Sequence, residues 1–157
     1  MLIYFAGPLF CQAELAFNQH LTDRLEAAGF RVFLPQRDGV EAGTSGSAAM
    51  TKEERGRAVF QIDTTNILAC DIFLFILDGR VPDEGACVEL GIAYGHREFT
   101  RAKKLLIGFQ TDRRAGDHGS LLNPMIRVPL DCLISDEETL LATLKYYKEQ
   151  GILPGQV

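Results

Sequence analysis

Cysteine is sparse in this chain and badly spaced for chelation. The four residues, Cys11, Cys70, Cys87 and Cys132, include no CxxC pair, which argues against zinc and dithiol redox motifs. Their apolar sequence neighbours predict reduced, mostly buried thiols in a cytoplasmic protein. Long hydrophobic runs are missing too: none approaches the ~20 residues a membrane span requires. The apolar start, Met1 to Ala6, has no basic flank and meets Gly7-Pro8 at once, so it reads as a first strand and not a signal peptide. Positive charge is not in excess. The net charge of −5 argues against a nucleic-acid backbone as partner. No G-x-x-x-x-G-K-[ST] and no G-x-G-x-x-G after the first strand is present, so the usual phosphate loops are excluded. His20, His96 and His118 are scattered. They support neither a catalytic triad nor a metal site and read as surface residues. Arg113-Arg114 reads as a solvated loop pair sooner than an anion site.

The 157 residues, 46% of them hydrophobic, suit one domain with a sizeable core. Strands are expected at Leu2–Ala6, Phe30–Leu34, Asp71–Leu77, Lys103–Phe109 and Val128–Ile134. Helices are expected at Gln12–Ala28, from Thr51 to about Ala69, from Ala86 to about Phe99, and from Ser135 to about Gln150. Thr51-Lys52-Glu53-Glu54 and Ser135-Asp136-Glu137-Glu138 both have the form of a capping box. Residues 35–50 and 110–122 read as long loops, and loops of that length in a compact domain are usually functional. The tail from Gly151 reads as loosely held. Strands alternating with helices imply an α/β fold: a flavodoxin-like, doubly wound, five-stranded parallel sheet with helices on both faces. No repeat or linker divides it, so residues 1–157 are expected to form one domain.

Acids gather where such a fold binds ligands, outside the carboxyl ends of the strands. After the apolar run Ile72–Leu77 come Asp83, Glu84 and then Glu89 inside a helix. Several carboxylates at that place are the raw material of two-carboxylate glycosyl chemistry. Asp83 has a simple structural explanation, as a helix cap. Glu89 is harder to explain that way, because Leu90, Ile92 and Ala93 surround it. Asp63 shares a helix face with Val59, Ile67 and Cys70. It is either a rim side chain with a solvent outlet or a partly buried acid whose raised pKa suits a general acid. Tyr4 is either plain core or a hydroxyl that needs a buried carboxylate as partner. Gly7 lets the backbone turn and approach a ligand closely.

Several ordered motifs then converge. Tyr4-Phe5-Ala6-Gly7-Pro8-Leu9-Phe10, the acid Asp63 eight residues before Asp71, Asp83-x-Gly85-x-x-x-Glu89-Leu90-Gly91, and Asn123-Pro124-Met125 together resemble the nucleoside 2-deoxyribosyltransferases over almost the whole chain. The resemblance implies transfer of a 2-deoxyribosyl group between nucleobases, with a lean toward purines, as in nucleoside salvage. Glu89 would be the nucleophile on C1′, Asp63 the acid and base toward the nucleobase, Asp83 the partner of the sugar 3′-hydroxyl and Tyr4 the group orienting Glu89. Gly7 and Phe10, in the opening motif, and Gln36, after the second strand, would contact substrate. Asn123 and Met125 would complete the site of a neighbouring subunit, in a dimer or a hexamer built of dimers. The implied partners are 2′-deoxynucleosides and free nucleobases. No cofactor, metal, nucleic acid or membrane is implied. Two other readings are an N-glycosidase of 2′-deoxynucleoside 5′-monophosphates and a non-catalytic nucleotide-binding module. The first needs a phosphate pocket, for which Ser120 and Arg127 are the nearby groups.

Overall fold

The computed structural model describes residues 1–40, 50–112 and 122–154. Five strands form one all-parallel sheet: β1 Leu2–Ala6, β2 Arg31–Phe33, β3 Ile72–Ile76, β4 Leu105–Phe109 and β5 Cys132–Ile134, in the order β2-β1-β3-β4-β5. The helices are α1 Gln12–Ala27, α2 Pro35–Asp38, α3 Lys52–Ala69, α4 Glu84–Thr100, α5 Pro124–Arg127 and α6 Glu137–Gln150. This is the doubly wound order expected from the sequence.

The two faces of the sheet follow from the period of two along each strand. Ile3 and Phe5 of β1, with Leu74 and Ile76 of β3, pack with Leu21 and Leu25 of α1 and Leu140 and Leu144 of α6. The alternate residues Tyr4 and Ala6, with Phe73 and Phe75, pack with Ile67 of α3 and Leu90 and Ala93 of α4. The central strands β3 and β4 are buried along their whole length, as a sheet covered on both faces requires. The chain turns one way from β1 to β2 and the other way to β3. The crevice beyond the carboxyl ends of β1 and β3 is therefore the topological switch point of the sheet.

Local chemistry sets the helix ends. The Thr51 box closes reciprocally: its hydroxyl oxygen accepts from Glu54 N at 3.2 Å, and Glu54 Oε2 accepts from Thr51 N at 2.8 Å. Helix α4 begins at Glu84, two residues before the expected start, because the Asp83 carboxylate accepts from Ala86 N at 2.8 Å. Asp136, not Ser135, caps α6, accepting from Thr139 N.

Other expectations need correction. The fifth strand is Cys132–Ile134 and not Val128–Ile134. Asn123 caps a short helix with Pro124 in its first turn, and Pro129 has no N–H to give a sheet ladder. The first long loop opens with a helical turn, α2, where Leu34 N donates to Asp38 Oδ2 at 2.8 Å. Only Cys70 of the four thiols is buried; Cys11, at the head of α1, is exposed. His96 is half-buried, and its Nδ1 is enclosed with no hydrogen-bond partner among the described residues. Residues 41–49 and 113–121, with Arg113, Arg114, His118 and Ser120, lie outside the described residues.

Gly7 follows β1 directly, and a Cβ there would stand 2.8 Å from Ile76 Cβ of β3. Ile76 is buried and its Cβ cannot swing aside. Gly7→Ala is expected to cost about 1–3 kcal/mol through overpacking. Urea unfolding would show it as a lowered midpoint, whereas an unchanged midpoint would mean that the strand ends part freely.

Candidate active site

The switch-point crevice holds a pocket of about 170 Å³. Gly7, Leu9 and Phe10 from the β1–α1 loop form one side, and Pro35, Gly39 and Val40 from α2 and beyond form another. Asp63 of α3, with Asp83, Gly85 and Glu89 at the head of α4, supplies the acidic side. A shallow apolar groove between α3 and α4, lined by Phe60, Val88 and Ile92 among others, reaches the same Asp63 and Glu89. The structure thus brings Asp63 of α3 into one crevice with Asp83 and Glu89 of a later segment.

Tyr4 stands beneath them. Its ring is fully buried and stacks between Phe33, 5.5 Å away by centroid, and Phe73, 5.7 Å away. The stack is a product of register: Tyr4 lies opposite Phe33 in β2 and opposite Phe73 in β3. The three side chains therefore emerge on one face of adjacent strands. From this stack the Tyr4 hydroxyl donates to Glu89 Oε1 at 2.9 Å. Burial and the adjacent Glu89 carboxylate push the Tyr4 pKa far above its ordinary value, so the phenol remains a donor.

Burial pushes the Glu89 pKa from 4.5 up to about 7; the Tyr4 hydrogen bond opposes this, and the charges of Asp63 and Asp83 add to it. A carboxylate in this condition is partly ionised at neutral pH. It can act as an anion, yet it is poorly solvated and hence reactive. Asp83 is bound through one oxygen, Oδ2, to the Ala86 amide that it caps. The same carboxylate that caps α4 also lines the pocket. Among the described residues, no cluster of three or more His, Cys, Asp or Glu side chains has the arrangement of a metal site.

Three expected substrate contacts lie elsewhere. Gln36 does not line the pocket. Its amide oxygen accepts from Asn18 Nδ2 at 3.0 Å, and its own nitrogen donates to Leu15 O at 2.9 Å. Contact with a base would require those bonds to break. Asn123 Oδ1 accepts from Met125 N within its own short helix, and neither side chain reaches the pocket of its own chain. Met125 is 81% exposed. Arg127 donates to Leu130 O. Phe10 lines the pocket while remaining 76% exposed. Sequence reasoning missed Phe33, Phe73 and Asn18, which touch the site's components without themselves carrying its charge. The aromatic pair could have been read only from the strand register.

Comparison with known proteins bears on the family and the fold. A family model described as nucleoside 2-deoxyribosyltransferase matches residues 3–125. The chain belongs to the nucleoside 2-deoxyribosyltransferase family. Among solved structures, it is similar to a conserved protein from Enterococcus faecalis V583, with 28% identity and a TM-score of 0.72, covering 92% of this chain and 97% of that one. It is also similar to a 2-deoxyribosyltransferase from Bacillus psychrosaccharolyticus, with 25% identity and a TM-score of 0.69, covering 90% of each chain. No match was found among curated proteins. Family and neighbour together support an enzyme of deoxyribosyltransferase type, acting on nucleosides and nucleobases. No helix among the described residues is long and apolar enough to cross a membrane.

The raised Glu89 pKa makes a prediction about stability. The folded protein binds this proton more tightly than the unfolded chain does. The Glu89 contribution therefore weakens as pH rises from about 4.5 towards 7, each pKa unit corresponding to about 1.4 kcal/mol. Glu89→Gln should gain stability relative to wild type between about pH 5 and pH 8. Urea midpoints at the two pH values test this, and an offset that does not change with pH would contradict it.

Proposed function

We infer that this protein transfers a 2-deoxyribosyl group from one nucleobase to another by double displacement, with Glu89 as nucleophile. The observation that carries the reading is Glu89 itself: a half-buried carboxylate, held by the Tyr4 hydroxyl, in a crevice that also contains Asp63 and Asp83. A Glu89 oxygen attacks C1′ of a 2′-deoxynucleoside as the N-glycosidic bond breaks. The departing base nitrogen takes a proton from Asp63. A second base then attacks C1′ from the vacated side, gives its proton to Asp63 and displaces Glu89, so the configuration at C1′ is retained.

The chemistry suits the surroundings. The transition state resembles an oxocarbenium ion, and an anion fixed beneath C1′ stabilises it without reorganisation. Asp83, bound through Oδ2 to its own helix, has Oδ1 to offer the 3′-hydroxyl. A ribo 2′-hydroxyl would crowd Glu89 and withdraw electrons from the cation, which favours 2′-deoxy substrates. The apolar surfaces of Phe10, Pro35 and Val40 are suited to a flat base, and purines are the expected preference. Asn123 and exposed Met125 do not line their own pocket and would complete the site of a neighbouring copy, Asn123 at the 5′-hydroxyl. The reading needs no metal or organic cofactor and treats the chain as a single catalytic domain.

The direct test mixes the protein with deoxyinosine and free adenine, and separately with thymidine and free adenine. Deoxyadenosine from the first alone gives a purine-restricted transferase, and from both a broad one. Free sugar without exchange would replace transfer by hydrolysis. Glu89→Ala should lower transfer by about three orders of magnitude or more while the far-ultraviolet circular dichroism is unchanged; near wild-type turnover would remove Glu89 as nucleophile.

Tyr4 makes a separate prediction. Its hydrogen bond lowers the Glu89 pKa against the effect of burial. In Tyr4→Phe the Glu89 pKa rises further, so the acid limb of kcat/KM against pH should move to higher pH. A limb that stays in place would show that another group titrates there.

A further inference from the structure

The pocket has two loop-borne walls, and neither belongs to the sheet. One is the turn after β1, with Gly7 and Leu9; the other is the segment after β2, with Pro35 and Gly39. Asn18 of α1 lies behind both. It is only 2% exposed, although it is an amide on a helix. Its Nδ2 donates to Pro8 O at 2.9 Å and to Gln36 Oε1 at 3.0 Å. Both hydrogens of one nitrogen are thus committed, one to each wall.

The orientation of this amide follows from its partners. Pro8 O can only accept, so it requires the nitrogen of Asn18. Leu15 O likewise can only accept, which requires the nitrogen of Gln36 and turns the Gln36 oxygen towards Asn18. The three bonds form a clasp with one consistent polarity. On its sheet side the first wall is fixed separately, by the contact of Gly7 with Ile76. Among the described residues, Asn18 is the side chain whose hydrogen bonds join the two walls.

The geometry points to Asn18 as a positioning residue that sets the separation of the two walls between which the nucleoside enters. The inference rests on the transferase reading of the same pocket. The Asn18 amide nitrogen is committed to Pro8 and Gln36, whereas Tyr4 is carried by β1, Asp63 by α3, and Asp83 and Glu89 by the head of α4. Loss of the clasp should therefore weaken substrate binding while the chemical step continues once substrate is seated.

Asn18→Asp keeps the shape but removes both donors, and Asn18→Ala removes the side chain. Each should raise KM for every nucleoside by about tenfold, with kcat held within about twofold. A role in folding alone would lower Tm and leave KM unchanged, which would overturn the proposal. So would a fall in kcat matching the rise in KM. Should neither variant fold, Gln36→Leu cuts one arm of the clasp from a half-buried position. It should raise KM by about threefold for purine and pyrimidine donors alike. No rise, or a rise confined to one class of base, would overturn the proposal, the latter by marking Gln36 as a direct base contact. Wild-type protein assayed alongside separates the two levels: absence of transfer there defeats the transferase reading, whereas active wild type with unaltered variants defeats only the role of Asn18.

Discussion

A carboxylate, Glu89, is held where water is scarce, and a phenol on the first strand, Tyr4, hydrogen-bonds to it. Burial and two neighbouring acids raise the pKa of Glu89, and the hydrogen bond from Tyr4 opposes them. Without the phenol, a buried carboxylate would take up a proton and lose its anionic character. The phenol can serve only because it is fixed, and it is fixed by Phe33 and Phe73 on the strands to either side. A slip of one residue in β1 would turn Tyr4 to the opposite face, where Ile3 and Phe5 pack on α1 and α6. The position of the Glu89 carboxylate is therefore linked to strand register across β2, β1 and β3.

The same sheet explains why the crevice is open at all. The direction in which strands are added to the sheet reverses at β1, so the loops after β1 and β3 diverge and leave space between them. Rigid elements supply the acids: α3 carries Asp63, and the head of α4 carries Asp83 and Glu89. Loops supply the apolar walls, and loops need ties. The buried Asn18 amide provides one, at the cost of placing a polar group inside the fold. That cost is offset because both of its N–H bonds are satisfied.

Much of this was legible in the sequence because it rests on local chemistry. The alternation of apolar runs with amphipathic segments gives the parallel sheet. Thr51 and Glu54 mark the start of α3 by their spacing alone. Asp83 and Glu89 were recognisable because acids stood at the end of an apolar strand. What was not legible is non-local. Nothing near Tyr4 in sequence names Phe33 or Phe73 as its neighbours, and nothing near Asn18 names Pro8 and Gln36. Val128 and Leu130 suggest a longer fifth strand because they are good strand residues, but Pro129 between them and the Asn-Pro helix start before them keep the strand short. Gln36 was read from its place after β2, but place alone does not say which way an amide turns.

Asp83 shows why structural and functional explanations of a residue need not compete. A capping carboxylate uses one oxygen for its helix and keeps the other. It also adds charge to a site that already holds Asp63 and Glu89, and that charge helps to raise the Glu89 pKa. In the proposed reaction the sign of the effect reverses. As C1′ becomes cationic, the Asp83 carboxylate that repelled Glu89 attracts the sugar. The repulsion in the resting site is then relieved as the transition state forms. An arrangement that is unfavourable empty and favourable at the transition state is what differential binding requires. It also gives a physical reason for three acids to share a crevice in which two would suffice for the bond changes alone.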